Sequence, residues 1–393
     1  MATQAKDDEP RFNFGAGMPD PKTFPSRDLA VAAARVIERE GSSLVRYPGN
    51  WGYPGLREVA RERFHRNHGV EVGIDDIVLG NGSMQPINLV AAAWAKAGAP
   101  VVVEEFTYSG TLGVFRHHQV DLVSIPLDEQ GMRTDALDAA LDRLRQAGTP
   151  AQFIYTIASH QNPSGTTLPV ERRRELLEVA TKHEVVIVED DCYADLRYRG
   201  EEVPSIYALA EPGQVLYIGS FSKILGPGAR LGYFIAPPGL RDQLLAHRSD
   251  GGTSSLAAMI VAEYLQGHMW SHIDEVKALM ASKLMTLHGA LDECVGDICS
   301  WTRPTGGLFQ WLKLPDDVDT DQLQTLVARQ GIACGSGRSF DAQDRDIAYL
   351  RLAFGYIDQA DIMEGVARLG DSIRKSQTGT AGNGAEQRDA ACC

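Results

Sequence analysis

The chain predicts an α/β protein in which a mainly parallel sheet, with helices on both faces, is followed by a smaller α/β unit. Three observations carry this. From Ile77 to about Phe234, short apolar runs alternate with helical patterns, the order that builds βαβ units. The runs Val101-Val102-Val103, Val185-Val186-Ile187-Val188 and Val215-Leu216-Tyr217-Ile218-Gly219 are continuous rather than alternating, as expected of strands covered on both faces. Each run leads into a polar or glycine-rich segment, and ligands of open α/β sheets gather at the carboxyl ends of the strands. At 393 residues and 44% hydrophobic content, the chain is long enough for two domains and apolar enough to fill their cores.

Taken in order, residues 1–14 read as a flexible arm, since Met1 to Pro10 is polar and acidic and has no apolar signal-peptide core. Residues 15–50 are expected to return to the smaller domain. Residues 51–290 form the large domain. There Ile77-Val78-Leu79 is a strand, Gly80 to Gln85 a glycine-rich turn and Pro86 to Trp94 a helix; free N–H groups and the dipole at such a helix start make an anion site. Val101 to Val103 leads to Glu104-Glu105-Phe106-Thr107-Tyr108, and Phe153-Ile154-Tyr155 to the polar turn Ser159-His160-Gln161-Asn162-Pro163-Ser164-Gly165. Val185 to Val188 closes on Glu189-Asp190-Asp191-Cys192-Tyr193. Ser255 to Leu291 reads as long helices. Residues 291–374 form the smaller domain, with strands at Gly306 to Leu312 and Tyr349 to Phe354. Residues 375–393, rich in Gly, Ala, Thr and Gln, read as a disordered tail. No internal repeat is visible.

The stretch Ser220-Phe221-Ser222-Lys223-Ile224-Leu225-Gly226-Pro227-Gly228-Ala229-Arg230-Leu231-Gly232-Tyr233 carries the most chemistry. A lysine amine forms a Schiff base with a carbonyl, while hydroxyls, backbone N–H groups and a guanidinium cradle a phosphate dianion. Lys223 would project from a strand end with Ser220 and Ser222 beside it and Arg230 seven positions on. Pyridoxal phosphate (PLP) has both the aldehyde and the phosphate. A carboxylate at a strand end supplies the remaining need: beside a pyridine nitrogen it keeps that nitrogen protonated, so the ring absorbs electrons released at a substrate α-carbon.

The Ser-x-Ser-Lys block with its downstream Arg and Gly resembles the cofactor-lysine signature of fold-type I PLP enzymes, in the class I/II aminotransferase family. The resemblance runs from about Gly15 to about Leu369, with the blocks in the family's order. It implies that Lys223 is the Schiff-base lysine and that Ser220, Ser222 and Arg230 bind the phosphate, helped by Ser83 and Met84 in the glycine-rich turn. Asn162, in a loop similar to Asn-Pro-x-Gly, would bond the phenolic oxygen of the ring. Asp190 and Tyr193 match Asp-x-x-Tyr, so Asp190 would pair with the ring nitrogen; Glu189 and Asp191 are then read as a solvated or capping pair. Tyr108 would stack on the ring, although a core aromatic reads the same way. Arg351 would grip the substrate α-carboxylate as a bidentate pair, and the loop containing Gly17 would border the substrate pocket. Tyr47 would reach the cofactor phosphate of a second subunit, so a homodimer is expected. The family often has Pro where Cys192 stands, and Cys334 to Phe340 departs from Pro-Gly-Ser-x-Phe by Arg338, which is either a surface charge or a second carboxylate binder.

Transamination between an α-amino acid and a 2-oxo acid, with ping-pong kinetics, is the implied activity. Decarboxylases, lyases, racemases and oxidases share the fold and the lysine, because the cofactor stabilises whichever carbanion forms. Transcription regulators with an aminotransferase-like domain carry an added DNA-binding head, for which the residues before Gly15 leave little room. The net charge of −14 argues against a nucleic-acid partner. No run of about eighteen apolar residues predicts a membrane span. The six cysteines are not arranged as a disulfide scaffold or metal site and fit a reducing cytoplasm; Cys392-Cys393 is read as a silent thiol pair.

Overall fold

A computed structural model describes residues 9–378. Its centre is a seven-stranded sheet in the order Ile77–Gly80, Gly232–Ile235, Val215–Ser220, Ile187–Asp190, Ile154–Thr156, Pro100–Glu104, Asp121–Ile125. All the pairings are parallel except those of Gly232–Ile235, which runs antiparallel to both neighbours. The continuous apolar runs are explained by burial: Val101, Val102 and Val103 are all fully covered, because helices lie on both faces. A second sheet of four strands, Ser300–Trp301, Phe309–Lys313, Tyr349–Ala353 and Gly335–Ser336, is antiparallel and packs against the helices Thr320–Arg329 and Ile362–Lys375.

Where several long helices were expected between Ser255 and Leu291, one helix of 40 residues runs from Ser255 to Cys294, capped by the Ser254 hydroxyl accepting the Ala257 N–H. It is about 60 Å long at ~1.5 Å per residue. Its first half, with Val261, Leu265 and Met269, packs on the large sheet's face; its second half, with Val276, Leu284 and Leu287, joins the core under the small sheet. One continuous helix thus packs in the cores of both sheets.

Two expectations at the ends are corrected. The arm before residue 15 is not loose throughout, since Phe12–Asn13 pairs in parallel with Ile332–Ala333 and the Phe12 and Phe14 side chains are buried. Two phenylalanines so close together anchor the chain, a signal that the polar start of the arm obscured. At the other end, Gln377 bridges to Val318 and the Thr378 N–H donates to Asp317 O, so order continues past Lys375. Residues 379–393, with Cys392-Cys393, and residues 1–8 lie outside the described residues. Among the described residues, no helix is long and apolar enough to cross a membrane.

Candidate active site

The carboxyl ends of the parallel strands converge on one cleft, as open α/β sheets require. At one end of it lies an anion cradle. The strand Ile77–Gly80 turns through Gly82 into the helix Met84–Trp94, whose N-cap Ser83 makes no side-chain capping bond, leaving the first N–H groups available. This turn lies tight against the start of the antiparallel strand: a Cβ on Gly232 would sit 2.8 Å from Ser83 N, so only glycine permits the approach. Arg230, in left-handed conformation, donates from Nη2 to Asn81 O at 2.9 Å and holds its guanidinium against the turn. The Ser220 hydroxyl accepts the Ser222 N–H at 3.1 Å, and both serines are buried. Ser220 is itself fixed by Arg63, whose Nη1 donates to Ser220 O at 2.8 Å while its other nitrogens pair with Asp195 in a fully buried fork.

Asp190 and Tyr193 follow the neighbouring strand end. The Asp190 Oδ2 accepts the Tyr155 hydroxyl at 2.8 Å, and Oδ1 has no partner. Burial pushes this carboxyl up, opposed by the adjacent Cys192 thiol and the Tyr155 hydroxyl. Burial also holds the Tyr193 phenol far above its ordinary value, with Cys192 and Asp190 adding to it, so the hydroxyl stays protonated and able to donate. Tyr108, at the start of the helix Ser109–His117, is raised by burial and then by Asp190. Lys223 Nζ lies 5.7 Å from the Tyr193 ring centre and donates to Gly17 O at 2.9 Å. Desolvation pushes the Lys223 amine below its ordinary value.

Beyond Tyr193 the site continues to Arg351. The Tyr193 ring meets Phe309 edge-on at 5.3 Å, and the Arg351 guanidinium lies between Phe309 and Phe340, 4.8 and 4.7 Å from their centres. Arg351 is 7% exposed, yet its bonds go to neutral acceptors, Asn162 Oδ1 at 3.3 Å and Gly15 O, and its Nε has none. A buried cation so placed is short of an anion. Gly17 must be small here, since a Cβ would press on the Phe309 ring at 3.0 Å. Three residues on, Asp20 pairs with buried Lys283 at 2.5 Å.

Direct contacts join Lys223 to Gly17 and Tyr193, and Arg351 to Asn162, whereas Tyr47 is 91% exposed, beside Gly251. Glu189 and Asp191 are not solvated, and both are fully buried. Glu189 does cap, accepting the Ile206 and Tyr207 N–H groups at 2.8 and 2.9 Å. Asp191 points to the opposite face of the strand end from Asp190, toward Arg173 and His68. Arg338 pairs at 3.0 Å with Asp344, both well exposed, and is a surface charge. Sequence reasoning passed over Tyr155, Arg63 and Glu104. Glu104 accepts from Thr107, Thr156, Ile157 and Gln161 at 2.7 to 3.1 Å, tying the Tyr108 loop to the Asn162 loop. A carboxylate pair, Glu104-Glu105, closing a Val-Val-Val run was the available signal for it, with acids at a strand end as at Asp190.

The cleft fits a phosphate-bearing pyridine aldehyde: a cradle closed by Gly232, an unpartnered Asp190 oxygen and an amine with depressed basicity lie along one line of contacts. Comparisons with known proteins agree. The family model "Aminotransferase class I and II" matches residues 10–369. The chain is 34% identical to the aromatic-amino-acid aminotransferase 1 of Thermococcus litoralis over 93% of its length and 88% of the relative's. Among solved structures, the multiple substrate aminotransferase of Thermococcus profundus superposes with a TM-score of 0.89 at 31% identity, covering 94% of this chain and 93% of that one. The α-aminoadipate aminotransferase of Thermus thermophilus, solved with N-(5'-phosphopyridoxyl)-L-leucine, gives 0.86 at 32%, covering 93% and 92%.

Proposed function

This chain belongs to the class I and II aminotransferase family and is a PLP-dependent aminotransferase of fold type I; from that premise we propose a role for each residue of its site and a class of amino donor. The enzyme moves an amino group between an α-amino acid and a 2-oxo acid. PLP, when bound, supplies a conjugated ring that takes up the electron pair released at the substrate α-carbon. Ser220, Ser222, Arg230 and the N–H groups at Ser83 and Met84 hold its phosphate. Asp190, whose Oδ1 is unpartnered, would hold a proton on the ring nitrogen. Because Asn162 Oδ1 accepts from Arg351, its amide nitrogen is left to donate to the phenolic oxygen, together with the Tyr193 hydroxyl. Tyr108 would stack on a ring face. Arg351 orients the α-carboxylate as a planar fork, and Lys223 Nζ is the base that takes the α-proton and returns it, a task favoured by its depressed basicity.

The single observation that carries the amino-acid reading is Arg351, a buried guanidinium bonded only to neutral oxygens. The donor we infer has an uncharged side chain. Phe309 and Phe340 flank Arg351, and Arg338, the residue that the sequence offered as a second carboxylate binder, is paired with Asp344. Donors screened against 2-oxoglutarate and pyruvate test this. Aromatic and large aliphatic amino acids are expected to exceed glutamate-like donors in kcat/KM, and the reverse order refutes it. Parallel double-reciprocal lines check the ping-pong scheme.

A homodimer completes the reading. Among the described residues, six of the nine exposed large hydrophobic residues, Phe24, Val31, Ile37, Leu44, Val45 and Tyr47, fall within one short stretch. A 300 Å³ apolar recess nearby is lined by Phe24, Leu29 and the loop that follows Lys223. Tyr47 reaching the phosphate in the other subunit predicts that Tyr47→Phe weakens PLP binding without changing the dimer mass in solution. Among the described residues Cys192, Cys294, Cys299 and Cys334 are free, in keeping with a reducing cytoplasm.

A further inference from the structure

Tyr155 lies on the strand Ile154–Thr156, paired with Val188 of the strand that ends in Asp190. The side chain is fully buried, with its ring packed edge-on against Phe115 at 5.6 Å. Only its hydroxyl is polar, and that hydroxyl is committed. Buried Thr111 donates to it from Oγ1 at 3.1 Å, which occupies a phenolic lone pair, and its own proton goes to Asp190 Oδ2 at 2.8 Å. The two oxygens of Asp190 are thereby made unequal: one is anchored, the other has no partner.

We propose that Tyr155, oriented by Thr111, is a positioning residue that keeps Asp190 ionised and turned with its free oxygen toward the ring nitrogen of the cofactor. The proposal rests on the reading that Asp190 is the partner of that nitrogen. Its logic is electrostatic. In a dry site the proton between a carboxyl and a pyridine has two resting places, on oxygen as a neutral pair or on nitrogen as an ion pair, and desolvation favours the neutral one. A hydrogen bond donated to the carboxylate stabilises its charged form, so Tyr155 tips the proton to nitrogen, where it makes the ring an electron sink. Without the hydroxyl, Asp190 becomes the better base and also loses the bond that fixes its rotation. A phenylalanine would fill the same space against Phe115, so packing alone does not account for the hydroxyl.

The test uses holoenzyme loaded with PLP carrying ¹⁵N in its ring, with nitrogen NMR as the readout beside turnover. In Tyr155→Phe the ring-nitrogen signal is expected to move toward its unprotonated position, and Thr111→Val should move it the same way by less. Turnover of Tyr155→Phe should fall about ten- to a hundredfold, the loss expected for one hydrogen bond to a charged group. Adding Tyr155→Phe to Asp190→Asn should change neither signal nor turnover further, because Tyr155 acts through Asp190. A signal unmoved in Tyr155→Phe but displaced in Asp190→Asn overturns the positioning role. A signal unmoved in Asp190→Asn overturns the assignment of Asp190 and the Tyr155 proposal with it. If Tyr155→Phe does not fold, Thr111→Val decides alone: a shift supports the proposal and an unshifted signal overturns it.

Discussion

Replacing Arg351 separates a substrate clamp from a structural arginine, because the two roles move activity and stability in different directions. Arg351→Lys keeps a charge but loses the planar fork, and Arg351→Met loses both. A hydrogen bond to a charged group is worth roughly 1.5–3 kcal/mol, so Lys, which retains one, should lower kcat/KM for amino acids about ten- to a hundredfold. Met, which retains neither, should lower it by roughly two to four decades. Stability should not follow. The guanidinium is 7% exposed, bonds only to Asn162 and Gly15 oxygens, and leaves Nε unpartnered, while burial lowers its pKa. A methionine between the rings of Phe309 and Phe340 removes that buried charge and keeps most of the volume, so the unliganded melting temperature should hold or rise. The assay is single-turnover kinetics with an amino acid and with a primary amine lacking a carboxylate, alongside thermal melts. Equal losses for both substrates, or a Met variant that melts several degrees lower, would refute the clamp.

Because only the neutral amine attacks an aldehyde and burial pushes Lys223 below its ordinary value, apoenzyme mixed with PLP should regain its yellow colour at a rate that rises with pH and levels off below ~10.4; a rate still climbing there contradicts the placement. Borohydride should then fix the label on Lys223. Asp190→Asn should retain PLP while turnover falls by orders of magnitude, whereas Asp191→Asn, whose carboxyl faces Arg173 and His68, should leave the cofactor spectrum unchanged; greater damage to turnover from Asp191→Asn would show the register to be wrong. Burial lifts Glu104 from 4.5 to about 7 against its four donors. Between those pH values the folded chain holds a proton that the unfolded chain has lost, so this residue's contribution is full below about pH 4.5 and fades as pH rises to about 7. Denaturant melts across that window should lose their downward slope in part in Glu104→Gln, and an identical slope would exclude Glu104 as its source.

Much of this site was legible because its parts are local in sequence. A strand end followed by Ser-x-Ser-Lys places the lysine and its hydroxyls within a few residues, and the resemblance to Asp-x-x-Tyr chose Asp190 over Asp191, which the structure turns toward Arg173 and His68. The apolar runs named the large sheet's strands because burial on both faces leaves no room for polar alternation. What stayed hidden depends on partners far apart in the chain. Glu189 reads as a solvated acid until the fold brings Ile206 and Tyr207 N–H groups to it, and Arg338 is ambiguous until Asp344 is seen beside it. The disposition of the first residues likewise depended on Ile332 and Ala333 pairing with Phe12 and Asn13. By itself, then, the sequence determined the fold class, through periodicity, and the cofactor chemistry, through short motifs that resemble a known family, since both are properties of neighbouring residues; the roles of the single site residues stay proposals. Only the tertiary structure decided which buried carboxylates are satisfied, which arginine is left without an anion and which phenol holds Asp190, because charge and hydrogen-bond satisfaction are set by distances between residues that the chain order does not contain.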